Sequence, residues 1–217
     1  MITALRVFAA GVVGQAISVF ARFMTAPRAI WQGIEPVPRQ RVYFANHSSN
    51  GDFVLLWTVL PAPLRRQTRP VAALDYWLKS PLRAFIGRDV FNAVLIDRRP
   101  EARTTDPVAQ MVEALDKGAS LILFPEGQRN MSEEALLPFK SGLYHLAKTR
   151  PEVDLVPVWI ANLNKVMPKG EIIPVPLICT LTFGAALHLS PDEAKDAFLT
   201  RASSALLALA PAPLGKA

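Results

Sequence analysis

One cysteine, three histidines and no Gly-x-Ser-x-Gly turn leave this chain few of the common routes to chemistry. The lone Cys179, in the apolar run Ile178-Cys179-Thr180-Leu181, excludes an internal disulfide and any cysteine-based metal cluster; it reads as a buried strand residue. Without a nucleophile elbow a serine hydrolase is not expected. Ser48 and Ser49 adjoin His47, but sequence neighbours seldom reach nucleophile-to-base geometry. His47, His145 and His188 show no metal-ligand spacing with the carboxylates, so no catalytic metal is expected. The sequence also lacks a fixed-period repeat and a low-complexity segment.

What is present is apolar and, in its first half, basic. At 217 residues and 51% hydrophobic, the chain suits one domain with a sizeable core. Of the formal charge of +6, the excess is all N-terminal: residues 1–103 carry 14 Lys/Arg against 6 Asp/Glu, and the rest carries 10 against 12. Such a half could meet nucleic acid, an anionic membrane or phosphorylated substrates. No nucleic-acid recognition motif accompanies it, and Arg65, Arg66 and Arg69 lie between apolar stretches, so a membrane or phosphorylated partner is the better expectation.

The segment from Thr3 to Met24 is apolar and helix-compatible. Leu5, Phe8, Val12, Ala16, Val19 and Phe23 recur at spacings of three and four that line one face. Between the bracketing Arg6 and Arg22 lie 15 residues, about 22 Å of helix, short of the roughly 20 apolar residues of a comfortable span. A helix lying in the membrane interface fits best, a short anchor with snorkelling arginines is the alternative, and a cleaved signal lacks its small-residue site. The domain reading is therefore a membrane-associating helix over 1–26, a catalytic domain over 27–210 and a tail over 211–217.

Beyond a connector marked by Pro27, Pro36 and Pro38, strands alternate with helices. Strands are expected over 41–45, 71–74, 93–96, 120–124, 155–160 and 176–183. Helices are expected over 53–60, 77–85, 107–117, 139–149 and 191–209. This order implies an α/β fold with a largely parallel or mixed central sheet flanked by helices. Three polar clusters each follow a strand: Asn46-His47 with Asp52, Asp97-Arg98-Arg99, and Glu126 with Arg129. In a parallel sheet those strand ends share one edge, where ligands bind.

His47 and Asp52 are separated by four residues, Gly51 among them, so a folded loop can bring the carboxylate to one imidazole nitrogen and leave the other to face a substrate. On spacing alone, a loop histidine and a helix-capping aspartate are equally good readings.

The motifs around these residues resemble the glycerophospholipid acyltransferase family, the group that contains bacterial 1-acylglycerol-3-phosphate acyltransferases, over residues 42–160. Asn46-His47-Ser48-Ser49-Asn50-Gly51-Asp52 is similar to its His-x4-Asp motif, and Phe124-Pro125-Glu126-Gly127-Gln128-Arg129-Asn130 to its Phe-Pro-Glu-Gly motif. Asn92-Ala93-Val94-Leu95-Ile96-Asp97-Arg98 resembles the second motif with Asn92 in place of glycine, which asparagine's tolerance of left-handed backbone permits. Leu155-Val156-Pro157-Val158-Trp159-Ile160 resembles the fourth.

The resemblance implies that His47 and Asp52 are the catalytic pair and that Arg98, Glu126, Gly127 and Arg129 bind the acceptor's glycerol phosphate, with Lys140 adding charge. It implies no cofactor: acyl-CoA or acyl carrier protein is the donor substrate and a lysophospholipid the acceptor. Gln128 and Asn130 replace the usual Thr and Ser, which leaves another lysolipid, such as a lyso-ornithine lipid, as an alternative to lysophosphatidate. A non-catalytic lipid-binding protein is the alternative from another class. By analogy with the family, the expected place is the cytoplasmic face of a bacterial inner membrane.

Overall fold

The computed structural model describes residues 2–97, 99, 105–163 and 178–211. Its centre is a seven-stranded sheet in the order β1-β7-β6-β2-β5-β3-β4, with β1 (Arg28–Trp31), β2 (Arg41–Ala45), β3 (Thr68–Ala73), β4 (Val94–Ile96), β5 (Ser120–Leu123), β6 (Asp154–Ala161) and β7 (Thr180–Phe183). Every neighbouring pair is parallel except β6 with β7, so the sheet is mixed.

Both faces of the sheet are covered, which is why its central strands are apolar throughout rather than alternating. Val42, Phe44, Leu121 and Leu155 point into one core with Met111, Leu115, Leu143, Leu146 and Phe198. These come from α6 (Pro107–Asp116), α7 (Gly142–Thr149) and α8 (Lys195–Leu207). Tyr43, Ile122, Val156 and Val158 point the other way, onto Leu55, Leu56, Leu60 and Leu64, which belong to or follow α2 (Asp52–Val59) and α3 (Ala62–Gln67). The period-two alternation of β2, β5 and β6 thus divides one sheet between two cores.

Local chemistry sets the element ends. The Asp106 carboxylate caps α6 through the Ala109 N–H at 3.1 Å, with Pro107 in its first turn, and Gly118 ends it at φ +80°. The expected helix over 77–85 is instead three short pieces: α4 (Leu74–Trp77), α5 (Pro81–Phe85) and a π-helix over Ile86–Val90. Ser80 and Pro81 start a new helix there, the hydroxyl accepting from Arg83 N at 3.3 Å. The turn before β4 is left-handed at Asn92, φ +47°, as its tolerance of that geometry allows.

Two further expectations need correction. The proline-marked connector contains an edge strand, β1, which pairs with β7 and whose Trp31 stacks on Phe183 with ring centroids 3.9 Å apart. The prolines lie outside the strand and so did not preclude it. The expected strand over 176–183 begins at Thr180, its first two positions falling outside the described residues.

The N-terminal helix α1 (Ile2–Thr25) packs on α2 and the π-helix. It does so with small residues: Ala10, Gly14 and Ser18, spaced by four, are buried. A Cβ at Gly14 would lie 3.2 Å from Val90 Cγ1, so this glycine sets how closely the helix approaches. The large residues Leu5, Phe8, Val12, Val19, Phe20 and Phe23 face outward, Phe23 being 81% exposed. The predicted apolar stripe is therefore real, but it faces away from the rest of the chain. In length and composition α1 could cross a membrane.

Candidate active site

The carboxyl ends of the parallel strands β2, β5 and β6 meet along one edge, and the loops leaving them build the site. Asn46, the first residue after β2, reaches across to β6. Its amide donates to Ile160 O at 3.0 Å and accepts from Ile160 N at 2.7 Å, extending the β2–β6 ladder by a side chain. His47 follows, with its ring stacked on Phe124 at the end of β5, centroids 4.2 Å apart.

The Asp52 carboxylate is fully buried. Its Oδ2 lies 2.8 Å from His47 Nδ1 and accepts from the Ser48 and Ser49 N–H groups at 2.7 and 2.8 Å. Asp52 is the first residue of α2, where the N-terminal end of the helix favours negative charge. Its carboxylate does not cap the helix; it folds the preceding loop onto itself and orients the imidazole. An ionised carboxylate only accepts, so Nδ1 carries the proton and Nε2 keeps its lone pair. The contact between the two residues that the spacing allowed is therefore present in the fold. Gly51 has φ −85°, open to any residue, so its conformational freedom is not what folds the loop.

Glu126 is 2% exposed and holds the site together. Oε1 accepts from His47 N at 2.8 Å and Oε2 from Leu137 N at 2.9 Å. Asn130 N in turn donates to His47 O at 2.6 Å, so the loop after β5 grips the His47 backbone by both of its polar groups. Grouped by the resemblance with acceptor-binding residues, Glu126 has both oxygens engaged by backbone N–H groups. Burial pushes its pKa above the ordinary value, against the opposing pull of the Leu137 and His47 N–H groups.

Gly127 adopts φ +72°, and a Cβ there would come within 2.7 Å of Lys140 Cε. Lys140 is thus drawn over the Glu126–Gly127 turn, and its own N–H donates to Pro125 O at 2.8 Å. Arg129 is exposed on the same loop. Asn130 uses its side chain on its own loop, donating to Glu134 O at 2.8 Å and accepting from Ser132 N and Oγ at 3.0 and 2.7 Å. Arg98 lies outside the described residues. Asp97 precedes it at the end of β4, the edge strand two positions from β5. The other histidines lie elsewhere: His188 Nε2 meets Asp154 Oδ1 at 3.1 Å, at the opposite end of β6, and His145 is in α7.

A cleft of about 570 Å³ opens beside His47, lined by Ser48, Glu126, Asn130, Trp159 and Asn162 among others. A partly exposed imidazole, 19% accessible, with a buried carboxylate behind it can take a proton from a hydroxyl and return it to a leaving group. Asn46 and the loop contacts of Asn130 carried no distinct signal in the sequence, since amides in loops are common. What distinguishes Asn46 is its position, immediately between a buried strand and His47.

The buried Glu126 generates a prediction. Glu126→Gln presents an NH₂ to one of two backbone N–H groups and should cost about 1–3 kcal/mol in urea unfolding. Because the folded chain holds the carboxyl proton more tightly, Glu126 favours folding most below its ordinary pKa of 4.5 and loses that increment as pH rises through its raised value. The stability gap between wild type and variant should therefore narrow as pH rises above the ordinary carboxyl value of 4.5; a widening gap would mean that the two N–H bonds outweigh desolvation.

Comparison with known proteins agrees with this geometry. Residues 28–161 match the family described as Acyltransferase. The 1-acyl-sn-glycerol-3-phosphate acyltransferase of Limnanthes alba is 30% identical over 155 residues, 67% of this chain and 50% of the plant protein. That of Salmonella typhimurium is 32% identical over 133 residues, 58% of this chain and 49% of its own length. The chain thus spans about half the length of the curated relatives it matches. In fold, it resembles the crystal structure of the 1-acyl-sn-glycerophosphate acyltransferase PlsC from Thermotoga maritima, with a TM-score of 0.68 at 22% identity, covering 93% of this chain and 80% of that one. With a match that runs from the first residue of β1 to the last of β6 and takes in more than half of its residues, the chain belongs to the acyltransferase family.

Proposed function

We propose that the chain is a membrane-associated enzyme that moves a fatty acyl group from acyl-CoA or acyl carrier protein to the hydroxyl of a lysophospholipid, with 1-acylglycerol-3-phosphate as acceptor and phosphatidic acid as product. The observation that carries the proposal is His47 Nδ1 held 2.8 Å from the buried Asp52 carboxylate beside a cleft, in a chain of this family. The names of the relatives support the choice of acceptor.

In this mechanism His47 Nε2 takes the proton of the acceptor hydroxyl. The oxygen attacks the thioester carbonyl, giving a tetrahedral intermediate, and the imidazolium returns its proton to the departing thiol. Asp52 stabilises the imidazolium and keeps the ring in one tautomer. Thiolate leaves readily, so positioning and charge stabilisation are the enzyme's main tasks. Arg98, Arg129 and Lys140 supply guanidinium and ammonium groups for the acceptor phosphate, while Glu126 and Gly127 shape the turn that presents Arg129 and Lys140. Asn130 spends its amide on its own loop, and Gln128 is exposed beside it.

Both substrates are amphiphiles, and at about 0.8 kcal/mol per buried methylene a long acyl chain does not leave the bilayer freely. The outward apolar face of α1 supports docking of the chain in the membrane interface. The cytoplasmic face of a bacterial inner membrane, where thioester donors are made, is the proposed location. The stretch over 53–60 is apolar enough in sequence to lie at a membrane, but it contributes Leu55, Leu56 and Leu60 to the core.

The test is thiol release from acyl-CoA and from acyl carrier protein in detergent, with and without lysophosphatidate, the product identified by mass. Release that requires the acceptor and yields diacylated lipid is expected. A folded protein that releases nothing across several donors and lysolipids would replace the enzyme with a lipid-binding protein. For the membrane, the triple variant Phe8→Glu/Phe20→Glu/Phe23→Glu removes no buried contact and should weaken vesicle binding by about tenfold or more; unchanged sedimentation with vesicles contradicts the docking face.

A further inference from the structure

A second cavity, of about 520 Å³, lies between α1, α3 and the π-helix and shares no lining residue with the cleft beside His47. One wall is apolar, from Ala10, Gly14, Trp57 and Val90, and the other carries Arg65, Arg66 and Arg88. Its only lining carboxylate, Asp89, is engaged through both oxygens by Arg6 at 2.8 Å. Arg65 is held in place by Ser18 Oγ at 3.1 Å and lies over the Trp57 ring, 5.1 Å from its centroid. Among the described residues, neither Arg66 nor Arg88 has an ion-pair partner.

We propose that this pocket binds the phosphate of an anionic membrane phospholipid, at a site separate from the catalytic cleft. Three guanidiniums with one neutralised carboxylate leave net positive charge where a phosphate can take paired, charge-assisted hydrogen bonds. The apolar wall beside them suits the glycerol and first methylenes of a lipid rather than a free ion. Partial burial, and to a lesser degree the nearby Arg22 and Arg66, lower the Arg65 pKa. Arg88 comes from a π-turn, a geometry common at functional sites. Arg69, read from the sequence with this group, is not part of the pocket: its Nε donates to Asn92 O at 2.6 Å.

The assignment rests on α1 docking in the membrane interface, which brings the pocket to headgroup level, and the experiment separates the two. Wild type, Arg66→Gln/Arg88→Gln and the neighbouring control Lys79→Gln/Arg83→Gln are titrated with phosphatidylcholine vesicles with and without about 20% phosphatidylglycerol. The Arg66/Arg88 variant should lose about tenfold or more in affinity for the anionic vesicles, keep its binding to the neutral ones, and the control should lose less than about threefold. If wild type binds no vesicle, the docking of α1 fails. If it binds both kinds equally, or the control loses as much as the variant, the pocket is overturned in favour of diffuse surface charge. Soluble short-chain phosphatidylglycerol should raise the melting temperature of wild type and not of the Arg66/Arg88 variant. Inorganic phosphate that does the same would overturn the lipid as occupant.

Discussion

Two buried carboxylates, Asp52 and Glu126, and the backbone N–H groups that bond them are the constraint on which the rest of the site depends. A carboxylate out of water is costly unless it is hydrogen-bonded, and these two take their bonds from the backbone on either side of His47. Asp52 collects Ser48 N, Ser49 N and the imidazole; Glu126 collects His47 N and Leu137 N. Moving His47 would take one hydrogen bond from each carboxylate. The histidine is therefore positioned by the loss that its displacement would cause, not by contacts of its own ring alone.

The sheet makes this arrangement possible. Parallel pairing of β5, β2 and β6 brings three carboxyl ends to one edge, so the loop after β5 can close over the loop after β2 while Asn46 ties the latter to β6. The helix that begins at Asp52 then runs under α1, and Arg22 and Arg65 both reach the Thr58 carbonyl near its far end, where cations are favoured. The outward apolar helix α1 and the imidazole are thus joined by one short helix. Because α1 binds that helix through small residues, its large apolar side chains remain available outside.

The parts of this structure that follow from local pattern were legible in the sequence. Continuous apolar runs marked β2, β5 and β6, the Pro-led amphipathic stretch marked α6, and the His47–Asp52 spacing pointed to a pair that the loop indeed brings together. Asn92 was read as a residue able to replace glycine in a left-handed turn, and it adopts that geometry. What was not legible depends on contacts distant in the chain. β1 is four residues long and exists because β7 offers an edge; the two backbone N–H groups that Glu126 holds come from His47 and Leu137, 79 and 11 positions away in the chain. The stretch over 53–60 is as apolar as a lipid-facing segment, and only the packing of Leu55, Leu56 and Leu60 shows that it faces the core. Arg66 and Arg88, 22 positions apart, meet only through the π-turn and α1.

The central claim, that His47 acts as the base and is otherwise uninvolved in holding the acceptor, is most directly tested by steady-state transfer with His47→Ala at saturating donor and acceptor. The account predicts that kcat falls by about 10²–10⁴ while KM for the lysolipid changes by less than about threefold. A variant of unchanged fold that keeps kcat within about fivefold of wild type would contradict it, as would a loss confined to KM.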